Sequence, residues 1–311
     1  MQVWRSLDDV PASLGATTVV IGNFDGVHRG HRAVIARARG SAETSERPLV
    51  AVTFDPHPMA VLRPEHAPSI LTAIDTRAAL LAEAGVDHVL ALPFSREMAG
   101  WSPEQFIDRV LVEALHAATV VVGANFRFGS RAAGDVALLR EVGRSRGFTA
   151  EGIALDGGPQ VWSSTYVRTC LAAGDVAGAA EALGRPFTVR GEVVVGDRRG
   201  RELGYPTANV PIAEGMAAPS DGVYAGWLTR LDTAERYPAA ISVGTNPTFA
   251  GERARRVEAY ALDRDDLELY GVEVEVTFVD RLRGMVRFDG AEPLLETMAD
   301  DVRRTRLVLG S

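Results

Sequence analysis

The stretch GNFDGVHRGH, residues 22–31, decides how the rest of the chain is read. An apolar run over 18–21 precedes it, and residues 31–39 carry the spacing of a helix. A buried strand that enters a glycine-rich turn and then a helix is the opening of a β-α-β unit. Gly22, Gly26 and Gly30 let backbone amides approach an anion, and the helix offers its positive end. His28 and His31, at i and i+3, point the same way at a helix start. Two imidazoles aimed at one phosphate can donate hydrogen bonds as negative charge builds up. Phosphoryl and nucleotidyl transfer need mainly that positioning and electrostatic support. A zinc ion shared by the histidines and a plain surface turn are the competing readings. No third ligand with convincing spacing stands nearby.

Outward from this stretch, strand and helix signals alternate. The pattern predicts strands over 49–54, 87–92 and 119–123, and helices over 76–84, 102–115 and 135–146. Asp55-Pro56-His57-Pro58 ends the second strand, with His57 open to either a turn or a ligand role. Ser102-Pro103-Glu104-Gln105 is a capping box with proline at the first helical position. Such alternation predicts a parallel sheet with helices on both faces, and ligands bind such sheets at the carboxyl ends of strands. The pattern changes near Gly184-Arg185-Pro186. Before it lie short helices over 165–172 and 176–183. After it come strands over 189–195, 223–229, 240–244, 256–262 and 272–279, then a helix over 292–307. Closely spaced strands without helices between them predict a small antiparallel barrel or sandwich. Two domains are expected, 1–185 and 186–311, as suits a chain of 311 residues.

Composition narrows the chemistry. The chain is 46% hydrophobic and 24% charged, as in ordinary soluble domains. No apolar run is long enough to span a bilayer, and the first residues lack a signal-peptide pattern, so no membrane partner is expected. One cysteine, Cys170, excludes an intrachain disulfide and points to a reducing cytoplasmic setting. All 33 basic residues are arginine. Without lysine, a G-x-x-x-x-G-K-[ST] loop and a lysine Schiff base are both excluded. Any phosphate must be held by backbone amides, arginine, histidine or a metal. A net charge of -8 with dispersed arginines argues against nucleic acid as a partner.

The second half opens with GEVVVGDRRGRELGYPTANV, residues 191–210. Thr207 and Asn209, two apart on an extended segment, face one side and offer neutral oxygen ligands suited to Mg²⁺. Between Gly196 and Gly204, Arg198, Arg199 and Arg201 form either a phosphate-wrapping loop or a solvated hairpin tip. Glu258 alternates with Val257 and Ala259 on a strand. It is either a general base for an attacking hydroxyl or a solvent-facing strand residue.

Taken in order, GNFDGVHRGH, TFDPHP (53–58), GANFRFG (123–129) and SSTYVR (163–168) resemble the bifunctional bacterial riboflavin kinase/FAD synthetase family. So do GYPTANV (204–210), SDGVYAG (220–226), SVGTNPTF (242–249), VEAY (257–260), LYG (269–271) and RLRGMVRF (281–288). The resemblance implies a Rossmann-like nucleotidylyltransferase domain that transfers AMP from ATP to FMN, releasing pyrophosphate. It implies His28 and His31 on the ATP phosphates, with Gly22, Asn23, Phe24, Asp25, Asn125, Ser164, Thr165 and Arg168 holding the nucleotide. For the second half it implies a six-stranded Greek-key barrel with a terminal helix, converting riboflavin and ATP to FMN and ADP. There Thr207 and Asn209 would hold ATP and Mg²⁺, with Gly196 and Arg201 also on the nucleotide. Glu258 would be the base, and Arg283 and Phe288 would lie near the flavin. Two positions depart from the family's common form: Tyr166, where an arginine often stands, and Met285-Val286, where a charged residue is expected. The implied small-molecule partners are riboflavin, FMN, FAD and ATP, and a homo-oligomer is left open. A flavin-binding protein without turnover is the rival reading from another class, but it would not need these histidines or Glu258.

Overall fold

The computed structural model describes residues 1–154, 162–196, 204–245 and 255–310. Their contacts divide the chain into two compact units, Met1–Ser164 and Thr165–Ser311.

The first unit is built on six parallel strands: β1 (Gln2–Trp4), β2 (Thr17–Ile21), β3 (Leu49–Asp55), β4 (His88–Pro93), β5 (Ala117–Gly123) and β6 (Thr149–Ile153). Their order is β1-β4-β3-β2-β5-β6. The apolar runs of β2 and β3 are buried on both faces, as a doubly covered parallel sheet requires. Side-chain alternation splits them into two layers: Val19, Ile21, Val50 and Val52 enter one core, Val20 and Ala51 the other. The helices are α1 (Arg29–Thr44), α2 (Pro58–Leu62), α3 (Ile74–Glu83), α4 (Arg96–Ala99), α5 (Pro103–Phe106) and α6 (Val136–Arg146). Val34, Ile35 and Ala38 of α1 cover one face with Leu80 and Leu81 of α3, while Phe106 and Leu139 help to cover the other.

Several elements differ from expectation. β1 and β6 were not foreseen, because Gln-Val-Trp is too short and Thr-Ala-Glu-Gly-Ile lacks apolar alternation. The Ser102 capping box is present, but α5 passes at Ile107 into a π-helical run, Ile107–Ala114. Strand order reverses at β2: β3 and β4 lie on one side, β5 and β6 on the other. The carboxyl ends of β2 and β5 therefore flank a topological switch point, where a ligand crevice opens in such sheets.

The second unit contains α7 (Ser164–Ala173), apart from its first residue, and α8 (Val176–Leu183). Six antiparallel strands follow: β7 (Phe187–Glu192), β8 (Ala208–Pro211), β9 (Gly222–Arg230), β10 (Arg236–Thr245), β11 (Arg255–Ala261) and β12 (Glu273–Arg283). Their order is β7-β12-β9-β10-β11-β8. The Val194 N–H donates to the Asn209 carbonyl at 2.9 Å, so the segment leaving β7 meets β8 and the barrel nearly closes. Register shifts near Asp280 and Arg283 bend β12 and carry it beyond the expected end at 279. A terminal helix, α9 (Ala291–Leu309), packs on β9, β10 and β12. Residues 165–184 pack with this unit: Ser220 N–H donates to Leu171 O at 2.8 Å, and α8 lies on β7 and β12. The composition change at 184–186 is thus where helices give way to strands. Among the described residues, no helix is long and apolar enough to cross a membrane.

Candidate active sites

The first site is the loop between β2 and α1. Phe24, Gly26 and Val27 take left-handed backbone angles, with φ of 49°, 84° and 40°. Only glycine does this without cost, so the surroundings must hold the other two. Phe24 and Val27 accordingly bury their side chains in the core. The turn ends on His28, which is the N-cap of α1 and not part of the helix, a correction to a helix start at 31. His28 Nδ1 accepts the backbone N–H of His31 at 3.3 Å, so in the neutral ring the proton sits on Nε2. The two imidazoles stack with centroids 3.6 Å apart, and the Phe24 ring stands edge-on to His31 at 5.2 Å. Gly30 is required by close approach: a Cβ there would lie 3.0 Å from the Trp162 carbonyl and 3.1 Å from the His28 ring.

His31 is half-buried as a residue, and its Nδ1 is enclosed with no hydrogen-bond partner among the described residues. Burial, then His28, then Arg77 hold its proton affinity well below the ordinary imidazole value. Below about pH 6.5 an unfolded chain protonates this residue while the folded one does not. Its stabilising contribution is therefore complete above 6.5 and is lost as pH falls toward the depressed folded value. Urea unfolding at pH 7.5 and 5.5 should show a larger acid loss for the wild type than for His31→Asn. The excess is bounded by about 1.4 kcal/mol per pH unit for one proton; equal losses would contradict it.

The remaining residues of the loop divide by direction. Asn23 is exposed, its side-chain amide 3.3 Å from His57 Nε2, while His57 caps α2 by accepting the Met59 N–H at 3.2 Å. Asp25 faces inward instead of toward the crevice, taking the N–H groups of Leu71 and Thr72 on its carboxylate. Ser164, the last residue of the first unit, donates through Oγ to the Asp25 carbonyl at 2.8 Å. Asn125 is exposed in the loop after β5, the strand paired with β2. Thr165 and Arg168 follow on α7 in the second unit. Among the described residues, no cluster of three His, Cys, Asp or Glu forms a metal site.

In the barrel unit two open clefts share Thr207. One, of about 630 Å³, is lined by Gly196, Thr207, Asn209 and Arg264. Gly196 is again a matter of space, since a Cβ there would fall 2.4 Å from the Asn209 amide. The other cleft, of about 1040 Å³, is lined by Glu258, Arg283, Phe288 and the apolar side chains of Val223, Met285, Leu294 and Met298, among others. Glu258 stands opposite Asn209 on paired strands, so both leave the sheet on one face. Tyr205 and Tyr260 meet edge to face at 5.1 Å in this cleft. Burial, then Asp263, push the Tyr260 phenol up, which keeps it a hydrogen-bond donor. Arg201, with Arg198 and Arg199, and residues 246–249 lie outside the described residues.

A family model for FAD synthetase matches residues 10–162, and one for riboflavin kinase matches 183–309. The bifunctional riboflavin kinase/FMN adenylyltransferase of Escherichia coli K12 is 37% identical over 294 residues, covering 94% of this chain and 92% of its own. The chain belongs to the bifunctional riboflavin kinase/FMN adenylyltransferase family. Its relative from Pseudomonas fluorescens, bearing the same description, is 38% identical over 310 residues, with 98% and 97% covered. A solved structure described as a macrolide-efflux protein from Streptococcus pneumoniae shares the fold. It gives a TM-score of 0.87 at 30% identity, over 98% of each chain. The efflux description belongs to that protein alone.

Within this family's second module, the residue that sequence reasoning missed is Asp301. Its buried carboxylate takes Arg283 in a fork, Nε at 2.9 Å and Nη2 at 2.7 Å, which joins the end of β12 to α9. A signal existed, because Leu294, Met298 and Val302 recur at helical spacing and Asp301 falls on the same face. Asp301→Ala leaves Arg283 without its anion and should cost about 3 kcal/mol. Chemical denaturation of the barrel unit reads this; a loss under 1 kcal/mol would contradict it.

Proposed function

We propose that the barrel unit phosphorylates riboflavin to FMN and that the parallel-sheet unit adenylylates FMN to FAD, with ATP as co-substrate in both steps. One observation carries this: each family match covers one of two phosphate-ready sites, 10–162 over the imidazole pair and 183–309 over Thr207 and Glu258.

In the barrel, the cleft of Gly196 and Asn209 suits the triphosphate, and the apolar cleft suits a flavin ring. They meet at Thr207, where the γ-phosphate and the ribityl 5′-hydroxyl come together. Glu258 accepts the hydroxyl proton as the oxygen attacks phosphorus, and ADP leaves. The hydroxyl of Thr207 and the carboxamide of Asn209 are hard oxygen donors that fit Mg²⁺ sharing its shell with phosphate and water. When bound, the ion would offset triphosphate charge. Arg283, neutralised by Asp301, and Phe288, beneath the guanidinium at 5.9 Å, shape the flavin wall.

In the first unit, an FMN phosphate oxygen attacks the α-phosphorus of ATP and pyrophosphate leaves. His28 offers its Nε2–H, and His31, held neutral, has one ring N–H to donate. Asn23 and Asn125 lie on the loops beside the switch point, and Ser164 stands at the end of the same unit. Phe24 and Asp25 act on the nucleotide through loop shape, their side chains being buried. A cytosolic setting suits the single, buried Cys170. Incubation of the pure protein with riboflavin, ATP and Mg²⁺ tests the reading: FMN appears first and FAD after it. Recovery of neither would refute it.

A further inference from the structure

Arg77 on α3 is a charged residue only 3% exposed, and no motif of the sequence includes it. Burying a guanidinium is costly unless its donors are met, so their partners are informative. Nη1 donates to Thr53 Oγ1 at 3.3 Å and to the Phe54 carbonyl at 3.2 Å. Nη2 donates to the Thr72 carbonyl at 3.1 Å and lies 3.8 Å from the Asp25 carboxylate. One arginine thus reaches β3, the segment before α3 and the loop that carries the histidines.

The second layer of bonds gives this a direction. The Thr53 hydroxyl accepts from Arg77 and donates onward to the Asn23 carbonyl at 2.9 Å. The Thr72 hydroxyl accepts the Gly26 N–H at 3.0 Å and donates to Asp25 at 3.3 Å. Asp25 in turn takes the backbone N–H groups of Leu71 and Thr72. The Thr53 hydroxyl receives from Arg77 and spends its single proton toward the loop, while the Thr72 hydroxyl both receives from the loop and donates into it. These bonds end on Asn23, Asp25 and Gly26, within the stretch where Phe24 and Val27 take left-handed angles. Such angles persist only where surrounding structure over-determines them.

We propose that Arg77 is a positioning residue for adenylyl transfer: through Thr53, Thr72 and Asp25 its guanidinium holds the strained loop so that His28 and His31 stack at the mouth of α1. This rests on the adenylyltransferase reading of the first unit. A planar fork suits the task, because two nitrogens must satisfy acceptors on different segments at once.

Arg77→Met removes the fork and keeps an unbranched side chain. FAD formation from FMN should fall about 10²-fold in kcat, the scale of a misplacement of about 1 Å, with the KM for ATP within a few-fold of wild type. FMN formation from riboflavin, measured on the same preparation, stays at the wild-type rate, and a circular dichroism spectrum unchanged from wild type reports that the chain is folded. A folded Arg77→Met variant that makes FAD within twofold of wild type overturns the proposal. A defect confined to KM overturns it too. If Arg77→Met loses both activities, Thr53→Val decides, since it breaks one relay and leaves the ion pair. A tenfold drop in FAD formation alone supports the proposal, and an unchanged rate overturns it. Wild-type protein that makes FMN but no FAD would overturn the adenylyltransferase reading itself. Equal FAD from wild type and Arg77→Met overturns only the role of Arg77.

Discussion

His28→Ala lowers FAD formation from FMN by about 10²- to 10³-fold and leaves riboflavin phosphorylation intact. The magnitude is that of one preorganised donor removed from a site where charge develops. His28 is suited to be that donor, because its Nδ1 is committed to the His31 N–H and its Nε2 carries the proton. Its buried ring stacks at 3.6 Å on His31, so alanine also removes a wall of the partner imidazole. The lost cap costs the helix about 1 kcal/mol, which a unit with two apolar layers tolerates. Separate assays with FMN and with riboflavin as the starting flavin read the two steps independently. Loss of both in a protein with an unchanged circular dichroism spectrum would contradict the assignment of sites, as would full retention of FAD synthesis.

The converse holds for Glu258. Glu258→Gln keeps the shape of the side chain and its place opposite Asn209, but cannot accept a proton. FMN formation should fall by about 10²- to 10⁴-fold, the usual contribution of a positioned base. FMN supplied from outside should still become FAD at the wild-type rate. The affinity for riboflavin should change little, because the apolar wall of Met285, Phe288, Leu294 and Met298 is untouched. If glutamine supports FMN formation within tenfold of wild type, Glu258 is not the base, and the phosphate itself must take the proton. These two substitutions, one in each unit, let each activity report the amount of protein in the assay of the other.

The two sites were legible to different depths, for reasons visible in particular residues. The histidine pair, Asn23 and Asn125 sit in short loops after strands, and strand-then-turn patterns are local, so their neighbourhood follows from sheet order. Thr207 and Glu258 were legible because alternation along a strand assigns faces. Asp301 and Arg77 were not singled out. Each is a charged residue on the apolar stripe of an amphipathic helix, and only the partner shows whether such a residue is buried and paired. Asp25 shows the converse: a polar residue of the glycine-rich loop, it turns its carboxylate to the backbone of Leu71 and Thr72, which residue type alone does not reveal.

By itself, then, the sequence determined the class of each half, the crevice at the end of β2, and the exclusion of lysine chemistry, because periodicity and residue type are properties of the chain alone. Tertiary structure decided which polar groups line an open cleft and which bond to the protein itself. It also decided that α7 packs with the barrel unit and that one arginine braces the histidine loop. Those outcomes depend on contacts between segments far apart in sequence, such as Arg77 with Asp25 and Arg283 with Asp301, and local pattern carries no record of such pairings.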